Sequence, residues 1–130
     1  MIRVLIDENL SEYFAEGLNQ LQIPLPDDIE VTLIAKSFTK GIKDEEWIPK
    51  WGKVSGIFIT QDIKIQKTKH QASLLKTHNI GAFFLKAPKG TRYWGKVELI
   101  IKHWPQIVHL IKTNKTPYSF LITARKIDRL

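Results

Sequence analysis

Short apolar runs that alternate with helical stretches constrain this chain more than any other feature. The runs "IRVLI" (2–6), "IEVTLIA" (29–35), "GIFIT" (56–60) and "IGAFFL" (80–85) are β-branched, aliphatic or aromatic. None has a helical period, and each suits a strand buried on both faces. Between them "NLSEYFAEGLNQL" predicts an amphipathic helix, with Leu10, Tyr13, Phe14, Leu18 and Leu21 as its apolar stripe. Asn9 followed by Glu12 forms a capping-box variant at its start. "DEEWIPKWG" predicts a short helix with acids in the first turn, where the macrodipole favours them, and Pro49 limits its length. "HQASLLKTHN" predicts another helix, and "YWGKVELIIKHWPQIVHLIKT" a long one kinked or interrupted near Pro105. "YSFLIT" (118–123) predicts a last strand, paired parallel or lying at an edge. Strands alternating with helices imply right-handed crossovers and a mainly parallel sheet of four or five strands, covered on both faces.

The 130 residues, 43% of them hydrophobic, suffice for one domain with a sizeable core. No run approaches the roughly 20 apolar residues of a membrane span, and the N-terminus enters a strand pattern rather than a secretory signal. Zero cysteines exclude disulfides and thiolate metal sites and fit a cytoplasmic protein. Charge is divided unevenly. Residues 1–35 hold one base (Arg3) and seven acids, a net of −6, whereas the remainder holds 19 bases and six acids, a net of +13. That asymmetry points to an anionic partner, nucleic acid above all, and allows head-to-tail self-association into a homodimer.

In a parallel sheet, ligands bind in the crevice beyond the carboxyl ends of the strands. The first strand delivers Asp7, Glu8 and Asn9 there, and the third delivers Thr60 and Asp62. The intervening helix opens with Asp44, Glu45 and Glu46 at the same edge. Crowded carboxylates repel one another unless a cation neutralises them. An all-oxygen set suits Mg²⁺ or Mn²⁺, which accept phosphate oxygens as further ligands and can activate a water against a phosphodiester. Each group also has a purely structural role open to it: Asp7 tied to backbone amides, Asp44 as a helix N-cap, Thr60–Asp62 as a turn leaving a strand. Their coincidence at one edge is what favours chemistry. "KAPKGTRYWGK" (86–96) is a flexible basic loop suited to phosphate contact, with Lys86, Lys89, Arg92, Tyr93 and Lys96; Lys64, Lys67, Lys69 and His70 form a second such strip.

The order "VLIDEN … KDEEW … FITQD" resembles the PIN-like domains, in particular the compact bacterial branch related to VapC-type toxin nucleases. Asp7-Glu8-Asn9, Asp44-Glu45 and Thr60-Gln61-Asp62 carry the resemblance, which spans residues 2–86. It implies a Rossmann-like three-layer α/β/α sandwich and hydrolysis of RNA, often by the toxin of a toxin–antitoxin pair whose antitoxin blocks the site. By position, Asp7, Asp44 and Asp62 would be the metal-binding acids, Glu8 and Glu45 their supports, and Asn9 and Thr60 positioning groups. Larger PIN nucleases carry a fourth acid after the third strand, where this chain has the basic and apolar Ile63–Lys67.

The histidines (His70, His78, His103, His109) lack metal-ligand spacing, and GxGxxG, P-loop and GxSxG motifs are missing. Trp47, Trp51, Trp94 and Trp104 are expected as packing anchors rather than base-stacking platforms. Two rival functions stand beside the nuclease. One is a non-catalytic RNA- or partner-binding module of the same fold. The other is a receiver-like signalling domain, which would use Lys86 after a later strand but leave Asp44 without a role.

Overall fold

In a computed structural model of the chain the described residues are 1–7, 10–39, 41–54, 56–61 and 69–130, the side chain of Ala35 aside. Along the chain run β1 (Ile2–Ile6), α1 (Glu12–Gln22), β2 (Ile29–Leu33), α2 (Ile34–Ser37), α3 (Asp44–Gly52), β3 (Ile57–Thr60), α4 (Lys69–Thr77), β4 (Gly81–Leu85), α5 (Tyr93–Thr113), β5 (Tyr118–Ile122) and β6 (Ile127–Arg129). The strands form one sheet in the order β2-β1-β3-β4-β5-β6. All pairings are parallel except that of β6, which runs antiparallel along β5.

Alternation along the strands sorts side chains into two cores. Val4, Ile6, Ile59 and Phe83 pack with Phe14 and Leu18 of α1 and with Ile100 and Trp104 of α5. On the opposite face Leu5, Phe58, Ala82 and Phe84 pack with Trp47, Ile48 and Trp51 of α3 and Leu75 of α4. Both faces are therefore covered at the centre of the sheet, which is why β3 and β4 are buried at every residue, while β2 and β5 alternate. The arrangement is the three-layer α/β/α fold expected from the sequence, extended by a sixth strand. No helix among the described residues is long and apolar enough to cross a membrane.

Several local expectations are corrected. The buried stripe of α1 is Phe14, Ala15, Leu18 and Gln22, with Leu10 just ahead of the helix, whereas Tyr13 is 72% and Leu21 64% exposed. Its N-cap is Ser11, whose hydroxyl accepts from the Tyr13 amide at 3.2 Å; Asn9 lies outside the described residues. The second strand stops at Leu33, and a single helical turn, α2, follows at once. Neither proline breaks its helix: α3 continues past Pro49 and α5 past Pro105. A proline frees the carbonyl four residues before it. Those carbonyls belong to Glu45 and Ile101, both on exposed positions where water can reach them. After α4 the chain turns through Asn79 (φ 58°), with Ile80 N–H bonded to Leu75 O and Asn79 N–H to Lys76 O. This Schellman pairing feeds β4 back under the sheet.

Candidate functional site

The site grows out of the register between β1 and β3. Ile6 pairs with Ile59, so the next residues, Asp7 and Thr60, leave the sheet side by side. The crossover through α1 lies on one face of the sheet and that through α3 on the other, so the connections diverge at the β1/β3 boundary. That is the crevice where doubly wound sheets bind ligands. The backbone of Asp7 is fixed twice, by its N–H to Ile59 O (3.0 Å) and by its carbonyl, which accepts the Leu10 amide (3.0 Å). The residue is 8% exposed, and its carboxylate accepts a bond from the hydroxyl of the fully buried Thr60, Oγ1 to Oδ2, at 2.6 Å. A buried carboxylate is tolerable only when hydrogen-bonded or paired, and a β-branched threonine at a strand end holds such a donor in a stiff rotamer.

Asp44 reaches the same edge from a different element. It is the first residue of α3, after an N-cap at Lys43, so the expected N-cap role falls to its neighbour. Both of its oxygens are engaged. Oδ1 accepts from Trp47 Nε1 at 2.9 Å, and Oδ2 accepts from Gln71 Nε2 of α4 at 2.8 Å. The Trp47 ring meanwhile packs on Phe58 of β3 with centroids 4.7 Å apart. Phe58 lies two residues before Thr60, and Leu5 two before Asp7, so Asp7 and Thr60 continue the columns that α3 and α4 cover. One indole thus couples strand β3 to the Asp44 carboxylate. Gln71 was not visible in the sequence, because its meeting with Asp44 depends on how α3 packs against α4, whereas the Trp47 bond joins residues three apart on one helix. Glu45 faces His70 at 3.6 Å, both side chains more than half exposed, a surface contact that contributes little.

Of the other residues singled out, Glu8, Asn9, Asp62, Lys64 and Lys67 lie outside the described residues. Lys69 opens α4 and is exposed, as are Lys86, Lys89 and Arg92 beyond β4. Trp47, Trp51 and Trp104 are buried anchors as expected; Trp94 is not, being 77% exposed. Of the two histidines expected in the long helix, His103 is buried with Nε2 2.8 Å from Thr123 O, and His109 is exposed. Burial pushes the Tyr118 hydroxyl well above its ordinary range, but it lies at the opposite, amino end of the strands.

Among the described residues no three His, Asp or Glu side chains gather closely enough to hold a metal ion. Two of the three expected acids, Asp7 and Asp44, are described, and the third, Asp62, is not. The donors present are carboxylate and hydroxyl oxygens, the chemistry that a hard divalent cation takes. Asp44 keeps lone pairs beyond the two bonds it accepts, since a carboxylate offers about four acceptor positions. The residues present therefore fit such an ion.

A model of the family described as PIN like domain matches residues 2–87. No curated protein matches the chain, and no solved structure matches it. The matched span runs from β1 to just past β4 and contains Asp7, Asp44 and Thr60.

Proposed function

The chain belongs to the PIN like domain family, a nuclease-type fold, and from that premise we propose that it is a divalent-metal-dependent ribonuclease. The observation that carries the proposal is the nearly buried Asp7 carboxylate, fastened by Thr60 at the crevice between β1 and β3. A fold needs no charge at that depth. A site that must present a charged oxygen in one fixed place does.

In this reading Asp7, Asp44 and Asp62 hold Mg²⁺ or Mn²⁺, with Glu8 and Glu45 in support. When bound, the cation supplies charge neutralisation at the phosphodiester and makes water a better nucleophile. The chain's own residues do the positioning. Thr60 fixes Asp7, while Trp47 and Gln71 together fix the plane of the Asp44 carboxylate. Asn9 orients acid or phosphate, and Lys64, Lys67, Lys69, Lys86, Lys89 and Arg92 draw and anchor the polyanion. A cytoplasmic toxin held in check by an antitoxin over this crevice is the biological setting we assign to it.

The test is cleavage of a mixed RNA pool in Mn²⁺, Mg²⁺ or EDTA by wild type, Asp7→Asn and Asp62→Asn, with Mn²⁺ binding followed by calorimetry. Asparagine keeps the shape of either aspartate, and at position 7 its oxygen still accepts from Thr60, so both variants should fold. Metal-dependent cleavage should fall in each by more than the roughly 10- to 100-fold that outer partners of a metal site cost, together with Mn²⁺ affinity. RNA binding without cleavage or Mn²⁺ uptake by wild type would replace the nuclease with the non-catalytic binding module, which the basic and apolar Ile63–Lys67 favours.

A further inference from the structure

Exposed tryptophan at a helix start is unusual, because a large aromatic side chain loses burial it could otherwise gain. Trp94 is 77% and its neighbour Tyr93 44% exposed, and their rings meet edge to face with centroids 5.6 Å apart. They open α5 directly after the segment that leaves the carboxyl end of β4. That segment carries the exposed Lys86, Lys89 and Arg92, and Lys96 follows one helical turn later. Among the described residues none of these four cations has an ion-pair partner. Nor is the segment a loose coil. Thr91 N–H and Oγ1 both bond to Pro88 O, Gly90 takes the positive φ of 87° that the turn demands, and Gly95 lacks the Cβ that would collide with the Thr91 methyl.

One side of the patch meets the segment that follows Asp7. Tyr93 and Lys96 line a pocket of about 150 Å³ with Leu10, Ser11 and Phe14, and the Leu10 amide is bonded to the carbonyl of Asp7.

We infer that Trp94 and Tyr93 form a stacking platform for unpaired bases of a single-stranded RNA, whose phosphates lie along Lys86, Lys89, Arg92 and Lys96. The chemistry is that of sequence-tolerant single-strand binding: a π-face for each base and a cationic track for the backbone. A duplex keeps its bases stacked on one another and cannot use the platform. The substrate part of this inference rests on the ribonuclease reading above.

The full chain is titrated in EDTA, at fixed salt, against fluorescein-labelled oligouridylate and against an oligo(A)·oligo(U) duplex, using wild type, Trp94→Ala and Trp94→Phe. Oligouridylate should quench the emission of wild type, since Trp47, Trp51 and Trp104 are buried and Trp94 is exposed. Trp94→Ala should weaken single-strand binding about tenfold, towards the low end of what one stacked base contributes. Duplex binding should stay unchanged, and Trp94→Phe should restore most of the loss. A wild type that cleaves and binds RNA while Trp94→Ala binds equally well overturns the platform and leaves the ribonuclease standing. A wild type that neither binds nor cleaves RNA overturns both. Unchanged RNA affinity with altered sedimentation in Trp94→Ala would make the patch a protein interface and likewise overturn the inference.

Discussion

Burying Asp7 to 8% exposure removes a charge from water, which costs several kcal/mol unless hydrogen bonds replace the lost solvation. Thr60 Oγ1, at 2.6 Å, supplies a charge-assisted bond of that kind. Thr60→Val keeps the shape and removes this donor, so the buried carboxylate loses one of its hydrogen bonds. Stability should drop by about 1.5–3 kcal/mol, read as a lower urea midpoint, while Thr60→Ser keeps the hydroxyl and loses only about the 0.8 kcal/mol of one buried methyl. If the site is catalytic, the valine variant should also lose roughly 10- to 100-fold in cleavage, as expected for a group that positions a ligand. A valine variant as stable as wild type would mean that the Thr60 bond contributes nothing. The pairing of Asp7 with Thr60 was legible in the sequence, because both end apolar runs whose strands a parallel sheet sets side by side. Gln71 was not legible, since its partner Asp44 stands 27 residues away on another helix and no spacing rule connects them.

Between elements, the packing of α3 on α4 decides where Asp44 and Gln71 meet, and one glycine sets how close the two helices come. Gly52 ends α3 against the carbonyl oxygen of His78, just beyond α4, where a Cβ would overlap that backbone atom. Backbone cannot swing aside as a side chain can, so Gly52→Ala should cost about 1–3 kcal/mol despite alanine's better helix propensity. Gly17 makes a control within the same molecule. It is an exposed position inside α1, with nothing within 4 Å of a built Cβ. Gly17→Ala should therefore raise stability by about 0.5–1 kcal/mol. Opposite shifts of the two urea midpoints are expected; a shift of the same sign in both would remove the close-approach account of Gly52. Strands β3 and β4 were readable because burial on both faces leaves an unbroken apolar signature, and β1, β2 and β5 because their β-branched, aliphatic and aromatic residues outweigh the few polar ones. β6 was not, since Ile127, Asp128 and Arg129 form a short edge strand with no such run. The α1 stripe was over-read: Tyr13 is apolar enough to count but points about 100° away from its neighbour Phe14, whereas Leu21, three residues after Leu18, is exposed in the last turn of the helix.

Over the whole molecule, the sheet order turns a charge gradient along the chain into a gradient in space. Residues 1–35, net −6, build β1, α1 and β2, and those strands form one flank of the sheet; the rest, net +13, builds β3 to β6 on the other. The boundary between the halves is the β1/β3 crevice, so the acids of the candidate site stand where the negative flank meets the positive one. Part of the negative flank is neutralised internally, by Lys36 to Glu16 and Lys112 to Asp27, each at 2.6 Å. Lys86, Lys89, Arg92 and Lys96 have no such partners among the described residues, and a polyanion crossing the crevice would lie towards them. Each phosphate neutralised on a single strand releases counterions and adds about −0.7 to the slope of log K against log salt. Four contacts, from Lys86, Lys89, Arg92 and Lys96, should give a slope near −3, or about a 50-fold loss of oligouridylate affinity between ~50 and ~200 mM salt. Lys86→Ala with Lys89→Ala should bring the slope roughly halfway to zero and weaken RNA of any sequence equally, since phosphates carry no sequence information. A slope flatter than about −1 in wild type, or one that the double substitution leaves unmoved, would place the RNA track somewhere other than this flank.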